Sequence, residues 1–165
     1  MSSKNSFKYG RLTLDNAAFL FVDHQTDLLP LVNDWSEIEL KNNVLVLTKL
    51  AKIYKMPVVL TTSYKEGPNG PIAPSLKEMF PDVNIIKRLE EINAWDDPNF
   101  VKAVEATGRK KLIISGILTD VCVAFPTLST IEAGYDVVTA INGSGTINQT
   151  VREATAISRM VQAGA

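Results

Sequence analysis

The stretch LIISGILTDVCVAF, residues 112–125, joins an apolar strand signal to the only cysteine of the chain. Leu112–Ser115 is a short apolar run that predicts a buried strand. Thr119 and Asp120 are favourable helix starters, so a helix is predicted to begin there. Cys122 then lies in the first turn of a helix that follows a parallel strand, at the edge where open α/β sheets bind ligands. Unpaired backbone N–H groups and the positive end of the helix predict a thiolate at this position.

The composition predicts one soluble globular domain over residues 1–165. Hydrophobic residues make up 45% of the chain and charged residues 21%, and the formal net charge is -1. This near-neutral charge, without a basic run, argues against nucleic acid as a partner. A single cysteine excludes an internal disulfide framework and favours a reducing compartment. Because the start Met1–Asn5 is polar and no apolar stretch is long enough to span a membrane, the expected location is the cytoplasm.

Apolar runs alternate with amphipathic stretches along the chain. Strands are predicted at residues 17–22, 58–60, 84–86, 112–115 and 135–141. Helices are predicted to begin at capping boxes in residues 36–39 and 150–153, and at an N-cap formed by Asp97. Strands that alternate with helices predict an α/β fold, a three-layer α/β/α sandwich around a mostly parallel sheet.

Polar side chains follow three of the predicted strands. Asp23 follows the first strand, the pair Lys87 and Arg88 follows the third, and Cys122 follows the fourth. Because the carboxyl ends of parallel strands share one edge, these side chains are expected to converge, and a thiol, a carboxylate and a cation suit nucleophilic catalysis. The residues alone leave alternatives open. Asp23 is equally explained as a turn residue, and a lone cysteine is more often an inert, buried hydrophobe.

Two motifs resemble those of the isochorismatase-like cysteine hydrolases. GILTDVCV at 116–123 looks like the family motif G-x-x-T-x-x-C-V, and FVDHQ at 21–25 resembles its V-D-x-Q motif. Further phrases look closest to the YcaC-like branch: GPNGP at 67–71, INAWD at 92–96 and CVAFP at 122–126. The resemblance covers residues 11–165. It implies a Rossmann-like strand order, hydrolysis of an amide-type C–N bond of a small-molecule substrate, no cofactor, and a homo-oligomer.

By analogy with the family, Asp23 is the general base and Cys122 the nucleophile. The resemblance implies an oxyanion hole formed by the backbone N–H groups of Leu118 and Cys122. It also implies a cis peptide bond at Ile117–Leu118, just before the nucleophile. The proposed reaction passes through a thioester of the cysteine.

The cation implied by the YcaC-like branch is Arg88, with Lys87 as the alternative. Adjacent residues of a strand point to opposite faces, so only one of them is expected to enter the site. An arginine there holds charge but does not exchange protons. Weaker assignments to substrate binding are Gln25, Asn93, Trp95 and Thr119. No metal site is expected, because the chain lacks the aspartate and histidine pattern of the metal-binding nicotinamidase relatives.

The chain departs from the family pattern in two further places. Asn142 stands where the family usually has an aspartate at the end of a strand. The chain stops at Ala165, so a C-terminal strand and helix are expected to be missing, with an exposed sheet edge. His24 is the only histidine and is expected to point away from Asp23. Two other functions stay open: a catalytically silent binding or assembly subunit, and hydrolysis of another bond such as a vinyl ether.

Overall fold

The computed structural model describes residues 10–165, and the polar start Met1–Asn5 lies outside them. Five parallel strands form one sheet in the order β3-β2-β1-β4-β5. The strands are β1 Ala17–Val22, β2 Val58–Ser63, β3 Ile85–Arg88, β4 Lys111–Gly116 and β5 Asp136–Thr139. In the described part of the chain, β3 and β5 are therefore the edge strands.

Helices connect the strands and cover both faces of the sheet. They are α1 Glu37–Ile53, α2 Pro74–Met79, α3 Pro98–Ala106, α4 Ala124–Glu132, α5 Gln149–Val151 and α6 Ser158–Ala163. A π-helical turn, Thr119–Val123, leads into α4, and a second, Arg152–Ile157, joins α5 to α6. Among residues 10–165, no helix has both the length and the apolar character needed to cross a membrane.

Each face of the sheet has its own apolar core. On one face, Leu20 and Ile114 pack with Phe100 of α3 and with Met160 of α6. On the other face, the core contains Phe19, Phe21 and Leu60 of the sheet, with Leu40 of α1 and Leu76 of α2. This arrangement confirms the predicted three-layer α/β/α sandwich.

Local signals located most elements correctly. The buried run Ala17–Val22 is β1, and the capping box at Ser36 is present, with Glu39 N donating to Ser36 Oγ at 3.3 Å. The predicted capping box at residues 150–153 is wrong. Asn148 caps that helix instead and accepts from Val151 N at 3.2 Å, because asparagine is a stronger N-cap than threonine.

The prediction that a helix begins at Thr119 or Asp120 needs a correction. The N-cap position is Leu118, which offers no capping side chain, and the first turn is π-helical rather than α-helical. The α-helical hydrogen-bonding pattern begins only at Ala124, the first residue of α4. The wider π turn sets the direction in which Cys122 leaves the backbone, next to the end of β4.

Candidate functional site

The candidate site lies where β1, β2, β3 and β4 end, at their shared carboxyl edge. Asp23 follows β1 and has a left-handed φ of 54°, a conformation that aspartate tolerates better than most residues. Its backbone N–H continues the hydrogen bonding between β1 and β2 by donating to Thr61 O at 3.1 Å. The Asp23 side chain is completely buried. A buried carboxylate needs partners, and the neighbouring strands supply them.

Arg88 is the main partner of Asp23. Its Nη2 donates to both carboxylate oxygens of Asp23, at 2.5 Å to Oδ2, and both side chains are 0% exposed. Its Nε donates to Thr61 Oγ1 at 3.0 Å, and its Nη1 donates to the carbonyl oxygens of Glu91 and Ile92. All three nitrogen atoms of the guanidinium therefore donate to acceptors within the protein. Of the two candidate cations, Arg88 is the one that the structure brings to Asp23.

Three further residues belong to this network, and the sequence reasoning gave them no role. Ser63 Oγ donates to Asp23 Oδ2 at 3.0 Å, and Thr61 accepts from Arg88. Asn69 Nδ2 donates to Ser63 O and to Ser63 Oγ, both at 3.1 Å. The signal for the first two was present, because Thr61 and Ser63 are alternate residues at the end of the strand beside β1 and so share its face.

Cys122 lies in the π turn, opposite the carboxylate. Burial raises the pKa of the Cys122 thiol strongly, and the negative charge of the nearby Asp23 carboxylate raises it further. The backbone of Leu118 and the charge of Arg88 act in the opposite direction but are weaker. The prediction of a resting thiolate is therefore wrong. Desolvation and the neighbouring carboxylate outweigh the helix end, so the resting form is the thiol.

The chain turns sharply just before Cys122. The Ile117–Leu118 peptide bond is cis, as predicted. Thr119 N donates to Gly145 O at 2.9 Å, which ties this turn to the loop after β5. Leu118 and Cys122, the two predicted oxyanion-hole residues, thus lie at the same bend.

Gln25 is buried beside the site, but its amide is used within the protein. Its Nε2 donates to Ser63 O at 2.8 Å and to Gly70 O at 2.5 Å, and its Oε1 accepts from Ser63 N at 2.9 Å. Both amide hydrogens are thus taken. The geometry gives Gln25 the role of holding the loop after β2 in place, rather than direct contact with a substrate.

Asn93 and Trp95 are likewise engaged elsewhere. Asn93 caps a short 3-10 turn by accepting from Trp95 N at 3.2 Å, and it donates to Ser129 Oγ of α4 at 3.0 Å. The Trp95 ring packs edge-on against Phe100 and Tyr135, with centroids 6.3 and 5.7 Å apart. These contacts make both residues anchors of the loop between β3 and α3.

Thr119 differs from the other weakly assigned residues. It is completely buried, and its hydroxyl has no hydrogen-bond partner in the protein. It precedes Cys122 by three residues in the same π turn. Of the four weaker assignments, Thr119 is the one that lies in the same turn as Cys122 with a buried hydroxyl that has no hydrogen-bond partner.

His24 and Asn142 take no part in the network around Asp23. The His24 ring lies near Phe21 on the other face of the sheet, and its Nε2 is 3.0 Å from Ser115 Oγ, as expected from its opposite orientation. Burial lowers the pKa of His24 to about 4. Asn142 is exposed in a turn after β5. Within residues 10–165, no three His, Cys, Asp or Glu side chains are grouped so as to hold a metal ion.

Comparison with known proteins identifies the relatives of this chain. The model of the isochorismatase domain matches residues 17–165. A protein of Escherichia coli strain K12, described as "Probable hydrolase YcaC", is 54% identical over 157 residues, which are 95% of this chain and 75% of the relative.

Two solved structures resemble the fold closely. YcaC from Pseudomonas aeruginosa, solved with hexane-2,5-diol and covalent acrylamide, has a TM-score of 0.94 and 57% identity, covering 97% of this chain and 79% of that one. The E. coli YcaC gene product, described as an octameric hydrolase of unknown specificity, has a TM-score of 0.93 and 54% identity, covering 96% and 77%. The chain therefore belongs to the family of isochorismatase-like hydrolases, in its YcaC-like branch.

Proposed function

We propose that this protein is a cysteine-dependent hydrolase that cleaves an amide-type C–N bond of a small molecule through a thioester of Cys122. The observation that carries the proposal is the position of the Cys122 thiol beside the buried Asp23 carboxylate, close enough for the negative charge to raise the pKa of the thiol. A thiol whose pKa is raised needs a base in direct contact to become a nucleophile. Asp23 is the nearby carboxylate that can serve as this base, and it is paired with the guanidinium of Arg88.

The first half of the reaction transfers one proton and forms one bond. Asp23 takes the thiol proton as the Cys122 sulfur attacks the carbonyl carbon, so that the negative charge moves to the carbonyl oxygen. The backbone N–H groups of Leu118 and Cys122 stabilise that oxyanion. When the C–N bond breaks, Asp23 returns the proton to the leaving nitrogen, and an acyl thioester and an amine or ammonia result.

The second half uses water in the same way. Asp23 accepts a proton from a water molecule that attacks the thioester carbonyl, and the proton then returns to the sulfur as the carboxylic acid leaves. Arg88 does not exchange protons, because its guanidinium keeps its charge and all three of its nitrogen atoms donate to protein acceptors. We assign the free hydroxyl of Thr119 to the substrate or the attacking water.

Two features of the relatives support the proposal. YcaC from P. aeruginosa has been solved with covalent acrylamide, an electrophile that reacts readily with cysteine thiolates. Such an adduct requires a reactive nucleophile in that relative, and this fits the role proposed for Cys122 in the present chain. The E. coli YcaC gene product is octameric, and we propose that the present chain also assembles into a homo-oligomer that acts on a small molecule.

The experiment is a screen of small aliphatic and aromatic amides, with ammonia release as the readout and hydroxylamine present to trap a thioester as a hydroxamate. We expect Cys122→Ser and Asp23→Asn each to lower turnover by at least about a thousandfold. Arg88→Met should also lose activity, while Arg159→Met, a matched change at an exposed arginine, should retain it. Turnover that survives Cys122→Ser, or an acyl adduct on any other residue, would overturn the proposal.

A further inference from the structure

Lys87 occupies the face of the sheet opposite to the candidate site. It precedes Arg88 on β3 and pairs in register with Thr62 of β2. Arg88 faces Asp23, so Lys87 faces the side covered by α1 and α2. The Lys87 side chain is exposed there, and no described contact gives it a structural role.

A cavity of about 480 Å³ lies on this second face. It is formed by the ends of β2 and β3, by α2 and by the turn that precedes β3. The residues that matter for its chemistry are Thr62, Lys65, Ile72, Lys77, Asp82 and Lys87. None of the residues around Cys122 lines it, so the two sites are separate. Its volume suits a small metabolite.

The charges around the cavity are unbalanced. Three lysines line it against a single carboxylate, that of Asp82. Lys65 pairs with Glu66 at 3.1 Å, but the Glu66 side chain is 89% exposed, so this ion pair is weak. Within residues 10–165, Lys77 and Lys87 have no carboxylate within 4.0 Å. Cations gathered in a concave surface attract anions and hold them.

The uncharged part of the lining narrows the choice of ligand. Thr62 is completely buried, and its hydroxyl has no hydrogen-bond partner in the protein. Ile72 and Val83 supply apolar walls, and no aromatic ring lines the cavity. Stacking on a nucleobase is therefore not available. The lining suits a compact anion on a short polar or aliphatic body.

We propose that this cavity is a second ligand site that binds a small phosphate monoester. The phosphate lies between Lys77 and Lys87, which bind it as point charges, and Lys65 adds to the positive field. The body of the ligand lies against Ile72 and Val83. This assignment is independent of the proposed hydrolysis at Cys122, since the two sites lie on opposite faces of the sheet.

The test is calorimetric titration of the intact protein with glycerol 3-phosphate at low ionic strength. We expect saturable binding that weakens with added salt, because the contacts are ionic. Lys77→Ala and Lys87→Ala should each weaken binding about tenfold, and the double variant should abolish it. Lys49→Ala, at an exposed lysine of α1, is the matched control and should bind as the unmodified protein does.

Three results would overturn the proposal. The first is absence of saturable binding up to ~10 mM ligand, which is too weak for a specific site. The second is an equal loss in Lys49→Ala, or equally tight binding of glycerate, because either means unspecific attraction of anions. The third is a change of subunit assembly in Lys77→Ala or Lys87→Ala, measured by light scattering without ligand. That result would assign the lysines to contacts between copies of the chain.

Discussion

Replacing Arg88 with methionine tests how far the buried ion pair stabilises the fold around the candidate site. Arg88 and Asp23 are both 0% exposed, and the guanidinium also donates to Thr61 Oγ1 and to the carbonyls of residues 91–92. At a separation of about 4 Å and an effective dielectric constant of about 20, two unit charges attract by about 4 kcal/mol. Arg88→Met removes that attraction and leaves the carboxylate buried without its main partner. We expect the free energy of unfolding to fall by about 3–5 kcal/mol.

The measurement is urea denaturation followed by circular dichroism, extrapolated linearly to water. Asp23→Asn and the double variant Asp23→Asn/Arg88→Met complete a mutant cycle. Because the two residues are in direct contact, the double variant should lose less than the sum of the single losses, by about 0.5–3 kcal/mol. Arg159→Met, at an exposed position, should change stability by no more than about 0.5 kcal/mol. A loss below about 1 kcal/mol in Arg88→Met, or strict additivity in the cycle, would refute this reasoning.

Three other predictions concern the thiol, the histidine and the close packing of the strands. At pH 7, iodoacetamide should label Cys122 more slowly in the folded than in the unfolded protein, because burial and Asp23 raise the pKa of the thiol. Labelling is followed by intact mass. Asp23→Asn should be labelled faster than the unmodified protein, and slower labelling of this variant would contradict the assigned cause. Burial lowers the pKa of His24 from 6.5 to about 4, so as the pH falls the imidazole is protonated in the unfolded chain before it is protonated in the folded protein. The free energy of unfolding should therefore fall by about 3 kcal/mol as the pH drops from 6.5 to about 4. His24→Gln should lack this part of the pH dependence when urea denaturation is measured at several pH values. A Cβ at Gly116 would lie 2.4 Å from a main-chain oxygen of β1, whereas a Cβ at Gly67 would have no atom within 3.4 Å. Gly116→Ala should therefore lower the melting temperature, and Gly67→Ala should leave it nearly unchanged.

The fold was predictable from the sequence because its main signals are local. The run Ala17–Val22 is apolar at every position, which is the pattern of a parallel strand buried on both faces, and β1 has the same bounds. The convergence of Asp23, Arg88 and Cys122 followed from topology, since parallel strands carry their carboxyl ends to one edge. Strand ends were less accurate. β3 begins at Ile85 and extends to Arg88, because pairing with β2 continues beyond the apolar residues.

The parts of the site that the sequence did not reveal depend on three-dimensional neighbours. The chemical state of Cys122 depends on burial and on a carboxylate 99 positions earlier in the chain, and neither is visible in the local sequence around the helix start. Gln25 was assigned to a substrate because it follows a strand, but the loop after β2 folds back and takes its amide hydrogens. Ser63 received no role from the sequence, because the register of β2 beside β1 is what brings its hydroxyl to Asp23.

Lys87 and Arg88 stand side by side on β3 but serve opposite faces of the sheet. Because side chains alternate along a strand, a shift of β3 by one residue toward its carboxyl end would place Lys87 where Arg88 now lies. A lysine would then meet Asp23 in place of an arginine. An arginine keeps its proton, whereas a buried lysine can lose it, so the shifted protein would gain a second group able to exchange protons beside the cysteine. One inserted residue in the turn at 81–84 is thus a short mutational path between two chemistries on the same scaffold.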